Sequence, residues 1–196
     1  MLFPARLTFD ARDAELDAHE GVYLDLDLTP FAGLSGGGMG ARLFADARGY
    51  YAFGRDDRLV LAARAQIGSV SGAALAEVPP EMLFFSGGAG TVRGQSYKSL
   101  GVALPGGRKV GGRSFAALSA ELRASLSGPW SVVGFADGGF VGAGSWGDGA
   151  GNDHYGAGFG VRYDTGLGPI RVDIATPLDS DAGKDFEIYI GIGQAF

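Results

Sequence analysis

The 196-residue sequence contains no cysteine, only eight prolines and no long uninterrupted apolar run. The missing cysteines exclude disulfide frameworks, thiolate metal sites and thiol nucleophiles. A membrane helix needs about 18–20 consecutive apolar residues, and no segment approaches that length. The sequence has 16 basic residues against 22 acidic ones, which gives a net charge of −6. It therefore lacks the clusters of lysine and arginine by which proteins bind nucleic acids.

Apolar residues are instead spread along the chain at every second position, and they make up 46% of it with a mean hydropathy of +0.11. In the segment 116–124, Leu118, Ala120 and Leu122 alternate with Glu121 and Arg123. Successive side chains of a strand point to opposite faces, so this segment has one uncharged and one charged face. Similar patterns predict about nine strands, at 3–10, 22–28, 41–48, 59–67, 116–124, 130–141, 157–164, 170–174 and 186–196.

This alternation fits either a soluble β-sandwich or an outer-membrane β-barrel, and three further features favour the barrel. The uncharged faces carry no charge at the strand centres, where a charge facing lipid costs about 2–4 kcal/mol. The chain ends on an apolar strand, which in a soluble protein promotes aggregation. Aromatic residues stand near strand ends as in an interfacial girdle: Phe31, Tyr50, Tyr51, Phe53, Trp130 and Tyr155. We therefore predict an all-β, antiparallel transmembrane β-barrel in a lipid bilayer. Because the first ten residues carry no secretory signal, we expect this sequence to be a piece of a longer exported chain.

The segment from about 69 to 113 breaks the alternation and is far longer than a hairpin connection. It contains Pro79-Pro80, Phe84-Phe85 and Gly87-Gly88, and then Val92-Arg93-Gly94-Gln95. A solvated disordered loop has a different composition. We therefore expect this loop to fold against the rest of the protein.

Val92-Arg93-Gly94, followed by Tyr97-Lys98-Ser99-Leu100, resembles the Arg-Gly loop motif of the outer-membrane assembly barrels. This BamA/TamA superfamily, the bacterial surface antigen family, also includes the two-partner secretion transporters. The lead-in at 79–88 and the ending Ile192-Gly193-Gln194-Ala195-Phe196 most resemble the TamA branch. The resemblance covers essentially the whole chain, since further motifs match at Phe135-x-Asp137-x-Gly139, at Gly158-x-Gly160-x-Arg162-Tyr163 and at Gly168-Pro169-Ile170-Arg171-x-Asp173.

The resemblance implies a barrel of about 16 strands, of which this chain, as one partial domain at 1–196, supplies about the last nine. Earlier strands and periplasmic POTRA domains would precede it. It also implies a place in the bacterial outer membrane, unfolded outer-membrane protein clients such as autotransporters, and a periplasmic or inner-membrane partner subunit. No cofactor is implied.

Carried over residue by residue, the family's loop arginine is Arg93, and its acidic partners on the next two strands are Glu121 and Asp137. A guanidinium presents five donors and can hold carboxylates bidentately inside the lumen. Glu121 lies on the charged face of its strand, whereas both faces around Asp137 are apolar or small. The alternative is that Arg93 is a solvated loop charge. The family often has an aromatic residue where this chain has Gln95.

The end of the chain is expected to serve as the C-terminal insertion signal and as a lateral seam. At such a seam an incoming strand pairs with the exposed edge of the sheet. Glycine weakens a strand, which suits a seam that has to open. The residues concerned are Gly191, Ile192, Gly193 and Phe196.

The other chemistry-bearing residues give no catalytic or metal site. His19 and His154 lack companions at ligand spacing, while Asp148, Asn152 and Asp153 form an alternative external calcium site. No nucleophile, base and orienting group come together, so we do not predict an enzyme. The remaining lumen charges are interpreted as a mutually paired, hydrated wall: Asp25, Asp27, Arg42, Asp46, Arg48, Arg64, Arg162, Asp164, Arg171 and Asp173. Alternative functions are a barrel attached to a periplasmic patatin-like lipase, a two-partner secretion transporter, or a passive pore, which the loop motif disfavours.

Overall fold

A computed structural model describes residues 1–33, 38–147, 151–179 and 186–196. Within these ranges the helical segments are short 3-10 turns at Arg55–Asp57, Leu75–Glu77 and Pro80–Met82, and none has the length and apolar character needed to cross a bilayer. The strands, in chain order, are β1 (Ala5–Asp10), β2 (Gly21–Ala32), β3 (Met39–Phe53), β4 (Leu59–Ser71), β5 (Val102–Ala103), β6 (Lys109–Val110), β7 (Ser114–Ser125), β8 (Trp130–Gly142), β9 (Gly151–Tyr163), β10 (Ile170–Pro177) and β11 (Glu187–Ile192).

Nine of these strands form one antiparallel sheet in the order β1-β2-β3-β4-β7-β8-β9-β10-β11. Among the strands of the described ranges, only the small β5-β6 hairpin stands apart from the sheet, and each of the others pairs with the next strand of the sheet along the chain. Such an up-and-down order needs only hairpin connections. In the described part of the chain, β1 and β11 each pair on one side only, so both edges of the sheet are open.

The sheet has its apolar side chains outside and its charged side chains inside, which is the reverse of a water-soluble protein. On β7, Leu118 and Leu122 point outward and are 65% and 48% exposed, whereas Glu121 and Arg123 point inward and are almost fully buried. The register keeps this order across the sheet, since Ala120 lies opposite Ala63 of β4 and Ala136 of β8. An apolar outside around a charged inside is the arrangement of a membrane barrel. The predicted all-β antiparallel architecture is confirmed.

The sheet curls around its charged face. The turn between β1 and β2 (residues 11–20) reaches the far end of the sheet, where the Gln194 backbone N–H donates to the Leu16 carbonyl at 2.8 Å. The other connections on this side are short, at 54–58, 126–129 and 164–169. The 72–113 connection opens on the opposite side. Short turns face the periplasm and long loops face outward in outer-membrane barrels.

Several strand ends differ from the prediction. β1 begins at Ala5 rather than at position 3, and β3 extends to Phe53 rather than ending at 48. The last strand spans Glu187–Ile192 rather than 186–196, because the chain leaves the sheet at Gly193, whose φ of +83° is not a strand conformation.

Some of the aromatic residues predicted to form the interfacial girdle point outward, but the prediction is wrong for two of them. Tyr51, Trp130 and Tyr155 point outward and are exposed. Phe31 and Tyr50 are buried against the inner face, with 4% and 6% of their surfaces accessible. Their strand parity places them inward, and proximity to a strand end does not reveal that parity.

Candidate functional site

The long loop folds back onto the inner face of the sheet through an aromatic anchor. The ring of Phe84 is buried and stacks on Phe115 of β7 and Phe44 of β3, with ring centroids 5.5 Å and 6.2 Å apart. Beneath it, Gly68 of β4 has no side chain, and a Cβ there would lie 2.5 Å from the Phe84 ring. Glycine thus permits the close approach that fixes the start of the loop.

A glycine turn then aims the motif into the lumen. Gly87 and Gly88 adopt φ values of +111° and +94°, which side chains rarely tolerate. The turn closes where the Gly88 backbone N–H donates to the Val92 carbonyl at 3.1 Å and the Gly87 N–H donates to the Thr91 hydroxyl at 2.8 Å. Val92 is fully buried, so it anchors the turn from which Arg93 projects.

The guanidinium of Arg93 meets two carboxylates from neighbouring strands. Its Nε and Nη2 donate to the two oxygens of Asp137 on β8, at 2.7 and 2.9 Å. Its Nη1 donates to Glu121 Oε1 on β7 at 2.5 Å. The Arg93 backbone N–H adds a third bond to Asp137 at 3.0 Å, and the Phe135 ring lies 3.6 Å from the guanidinium carbon. Arg93 therefore binds Asp137 through a bidentate, charge-assisted pair of hydrogen bonds and makes a cation–π contact with Phe135.

The charges at this site compensate one another. Arg93, Glu121 and Asp137 are almost fully buried, and a second cation, Arg123, donates from Nε to Glu121 Oε2 at 3.0 Å. Two arginines therefore face two acids in a space shielded from water. Losing one member leaves an uncompensated buried charge, at a cost of about 3–5 kcal/mol.

The structure therefore brings together the three residues that the resemblance named. Asp137 could not be oriented from the sequence, because alternate residues of β8 are apolar or small on both faces. The register resolves this point, since Asp137 lies opposite Ser119 of β7 and shares the inner face with Phe135 and Gly139.

The remaining motif residues contact strands at the end of the sheet. Gln95 Nε2 donates to the Tyr155 carbonyl at 2.9 Å and to Asp179 at 2.6 Å, just beyond β10. The Gly94 backbone N–H donates to the hydroxyl of Tyr189 on β11 at 3.0 Å. At the position where the family often has an aromatic residue, Gln95 thus makes polar contacts.

Residues 1–196, the entire chain, match the family model of the Omp85 superfamily domain. The chain belongs to the Omp85 superfamily. Among solved structures it is similar to BamA from Haemophilus ducreyi lacking POTRA domains 1–3, with a TM-score of 0.76 and 17% sequence identity. The match covers 95% of this chain and 40% of that one. At this identity the match shows the barrel fold, and the chain spans about two fifths of the BamA chain that it matches.

Two inner charges of this Omp85 domain, which the sequence predicts to belong to the hydrated wall, lie instead in the buried network. Arg162 of β9 and Asp173 of β10 have no accessible surface and are joined Nη1 to Oδ1 at 2.5 Å. Asp173 Oδ2 lies 4.0 Å from Arg93 Nη1. Strand parity predicts that both side chains face inward, but their depth depends on distant parts of the chain, namely Arg93 beside Asp173 and Gln194 against Arg162.

The prediction of a wall of mutually paired charges fits strands β1 to β4 of the Omp85 sheet better. Arg6 of β1 grips Asp25 of β2 with bonds of 2.7 and 2.9 Å. Asp46 of β3 accepts from Arg64 of β4 at 2.7 Å and from Arg48 at 2.8 Å. These are local pairs within one strand or between adjacent strands, and none of them includes Arg93.

The four expected seam residues do not share one environment. Gly191 and Ile192 lie on β11, pairing with Arg171 and Ile170. Gly193 and Phe196 lie beyond the strand, and Phe196 turns inward to pack on the buried Tyr50 with ring centroids 6.5 Å apart.

Among the described residues, no group of three or more His, Asp or Glu side chains is arranged to hold a metal ion. Of the alternative calcium ligands, Asn152 and Asp153 are exposed, and Asp148 lies outside the described residues. His154 Nε2 instead lies 2.8 Å from the Ser86 hydroxyl, where it helps to hold the loop.

Proposed function

We propose that this chain is the C-terminal part of an outer-membrane barrel that assembles or translocates other outer-membrane proteins, most like TamA, with autotransporters among its clients. The observation that carries the proposal is Arg93, held by Glu121 and Asp137 inside an Omp85 sheet. Such a buried charge cluster does not suit the lining of a passive pore, because it holds a loop folded against the inner face of the sheet.

The last strand supports the seam part of the proposal. β11 has only six residues, against 15 in β3, so few backbone hydrogen bonds can hold it to a neighbouring strand. An exposed strand edge offers free backbone donors and acceptors to an incoming strand. In this proposal, a client strand pairs at that edge, and the docked loop holds the barrel in the shape that allows it.

The same proposal places the domain in the bacterial outer membrane, with the lipid bilayer around its apolar face and a periplasmic or inner-membrane subunit as partner. Upstream strands and POTRA domains would complete the protein. The domain acts without cofactor or catalytic residue, by offering an edge and a shaped lumen.

The direct test is Arg93→Ala in the full-length protein, with Arg6→Ala as the matched control, because Arg6 is also a bidentate inner arginine but does not contact the loop. We expect Arg93→Ala to impair client assembly and to alter heat-modifiable gel mobility, and Arg6→Ala to change neither. Unchanged assembly and mobility in Arg93→Ala contradict the proposed role. An upstream Gly-x-Ser-x-Gly element in place of POTRA domains points to the lipase-linked alternative.

A further inference from the structure

The end of this chain is bound against the inner, charged face of the sheet. Residues 193–196, called the tail here, depart from β11 at Gly193 and run along the inner face. Phe196 packs on Tyr50 of β3, on the other side of the lumen. The tail therefore occupies a site in the lumen.

Two buried arginines hold this tail. Arg123 of β7 donates from Nη2 to the Phe196 backbone oxygen at 3.3 Å and from Nη1 to the Ala18 carbonyl at 3.1 Å. Arg162 of β9 donates from Nε to Gln194 Oε1 at 2.8 Å. Both side chains are shielded from solvent.

The β1-β2 turn closes over the tail from the other side. Gln194 Nε2 donates to Asp17 Oδ1 at 2.9 Å, and the Gln194 backbone N–H donates to the Leu16 carbonyl at 2.8 Å. Gln194 is thus the centre of the tail site, bridging Arg162 and the turn.

Each tail-holding arginine shares a carboxylate with the loop arginine. Glu121 accepts from Arg93 at one oxygen and from Arg123 at the other. Asp173 binds Arg162 through Oδ1, and its Oδ2, which has no hydrogen-bond partner within the described ranges, lies 4.0 Å from Arg93. When a buried carboxylate loses one of its cations, its remaining bonds reorganise.

We infer that Arg123 and Arg162 are positioning residues that couple the loop to the tail: withdrawal of Arg93 from Glu121 and Asp173 loosens the hold on Gln194 and Phe196, and the end of β11 is released. The coupling is a property of the charge network. Its use in opening the seam for a client rests on the proposed function.

A single cysteine reports on the tail, because this chain has none of its own. In the full-length protein, freed of any other cysteine, Ala195→Cys is labelled with a small maleimide in the folded, detergent-extracted state. Thr29→Cys, buried on the inner face of β2 and outside the charge network, reports on general loosening. Both reporters are combined with Arg93→Gln, Arg123→Gln and Arg162→Gln, and with Arg6→Gln as the control outside the network.

We expect Arg93→Gln, which does not contact the tail, to speed labelling at position 195 by about fivefold or more, the lower range of coupling between sites. Arg123→Gln and Arg162→Gln should do the same, while labelling at position 29 is unchanged and Arg6→Gln has no effect. An unchanged rate at 195 in Arg93→Gln overturns the inference. So does equal acceleration at both positions, because it reports loosening of the whole barrel.

If Arg93→Gln loses its folded, heat-modifiable band, Arg93→Lys carries the same test, since it keeps the charge but not the bidentate grip. Client assembly is measured on the same variants. Faster tail labelling with normal assembly contradicts the proposed function and leaves the coupling standing. Impaired assembly with unchanged tail labelling overturns the coupling and leaves the proposed function standing.

Discussion

The Gly94 backbone N–H donates to the hydroxyl of Tyr189, 3.0 Å away, although the two residues are 95 positions apart. This bond joins the loop motif to the inner face of the last strand. Tyr189 is only partly buried, but Gly94 is enclosed on all sides. The loop therefore binds the last strand of the sheet, β11, directly.

Replacing Tyr189 with Phe tests this bond. We expect destabilisation of about 1–3 kcal/mol, because the buried Gly94 N–H loses its acceptor. The measurement is the denaturant midpoint of the folded barrel in detergent. Tyr163→Phe is the control, since Tyr163 is on the outer face and keeps its edge contact with Trp130 through the ring. An equal midpoint shift in both variants contradicts the role of this hydroxyl.

Glycine at position 94 should be essential for docking of the loop. Its φ is +88°, and an added Cβ would lie 2.6 Å from the backbone of Thr176. Gly94→Ala should destabilise the docked loop by more than the ~1–3 kcal/mol that backbone strain alone costs, because the clash with Thr176 adds to that strain. Limited proteolysis of the loop is the readout. Gly90→Ala, with open space around it, should leave the loop protected, and protection of both variants would show that the fit at 94 is unimportant.

Neutralising Asp137 should be far more damaging than neutralising an exposed acid. Asp137→Asn leaves Arg93 with fewer compensating charges in a dry site, and we expect about 3–5 kcal/mol of destabilisation. Asp57→Asn, in the exposed β3-β4 turn, should be neutral. Urea unfolding monitored by gel mobility measures both. A cost below about 1 kcal/mol at Asp137 would mean that water reaches the site.

A charge on the outer face tests the contact with lipid. Ala120 points outward from the middle of β7, level with Ala63 and Ala136. Ala120→Arg should cost about 2–4 kcal/mol at the bilayer midplane and lower the yield of membrane-inserted protein. The turn variant Ser127→Arg should insert normally. Normal insertion of Ala120→Arg, or a full-length protein that is monomeric in water without detergent, contradicts a membrane-embedded barrel.

The contact between the turn and the tail should depend on pH. A hydrogen bond to Asp17 raises the pKa of His19 above its usual 6.5. Burial opposes ionisation of Asp17, but the bonds from His19 and Gln194 prevail, so the pKa of Asp17 lies below 3.8. His19 thus contributes stability that is complete below pH 6.5 and lost as pH rises through its folded pKa. Asp17 contributes stability above pH 3.8 that is lost at lower pH.

Because the maleimide reacts with the thiolate, whose population itself rises with pH, the rate at position 195 is divided by that of a free thiol at the same pH. This ratio should be lowest between about pH 4 and 6.5 and should increase as pH rises further. The other charges facing His19 are Asp13 and Arg123. His19→Gln should remove the increase of this ratio at higher pH while leaving the increase below pH 4. A pH profile that is the same with and without His19 rules out this pair as its source.

Much of the fold could be predicted because the side-chain period of a strand is local. The alternation around Leu118 and Glu121 assigns each residue to a face without any knowledge of its neighbours. The loop motif identified Arg93 in the same way, from a short run of residues. Asp137 shows the limit, since alternate residues of its strand are similar on both faces and only the pairing with β7 orients it.

By itself the sequence determined the strand faces, the long loop and the arginine that enters the lumen, because each depends on residues close together in the chain. Only the tertiary structure decided that Arg162 and Asp173 are buried, that Tyr50 points inward and that Phe196 packs against it. These contacts join strands far apart in sequence, and they depend on how the sheet curls and on where the loop lies. The tail site exists because that curvature brings the β1-β2 turn to Gln194.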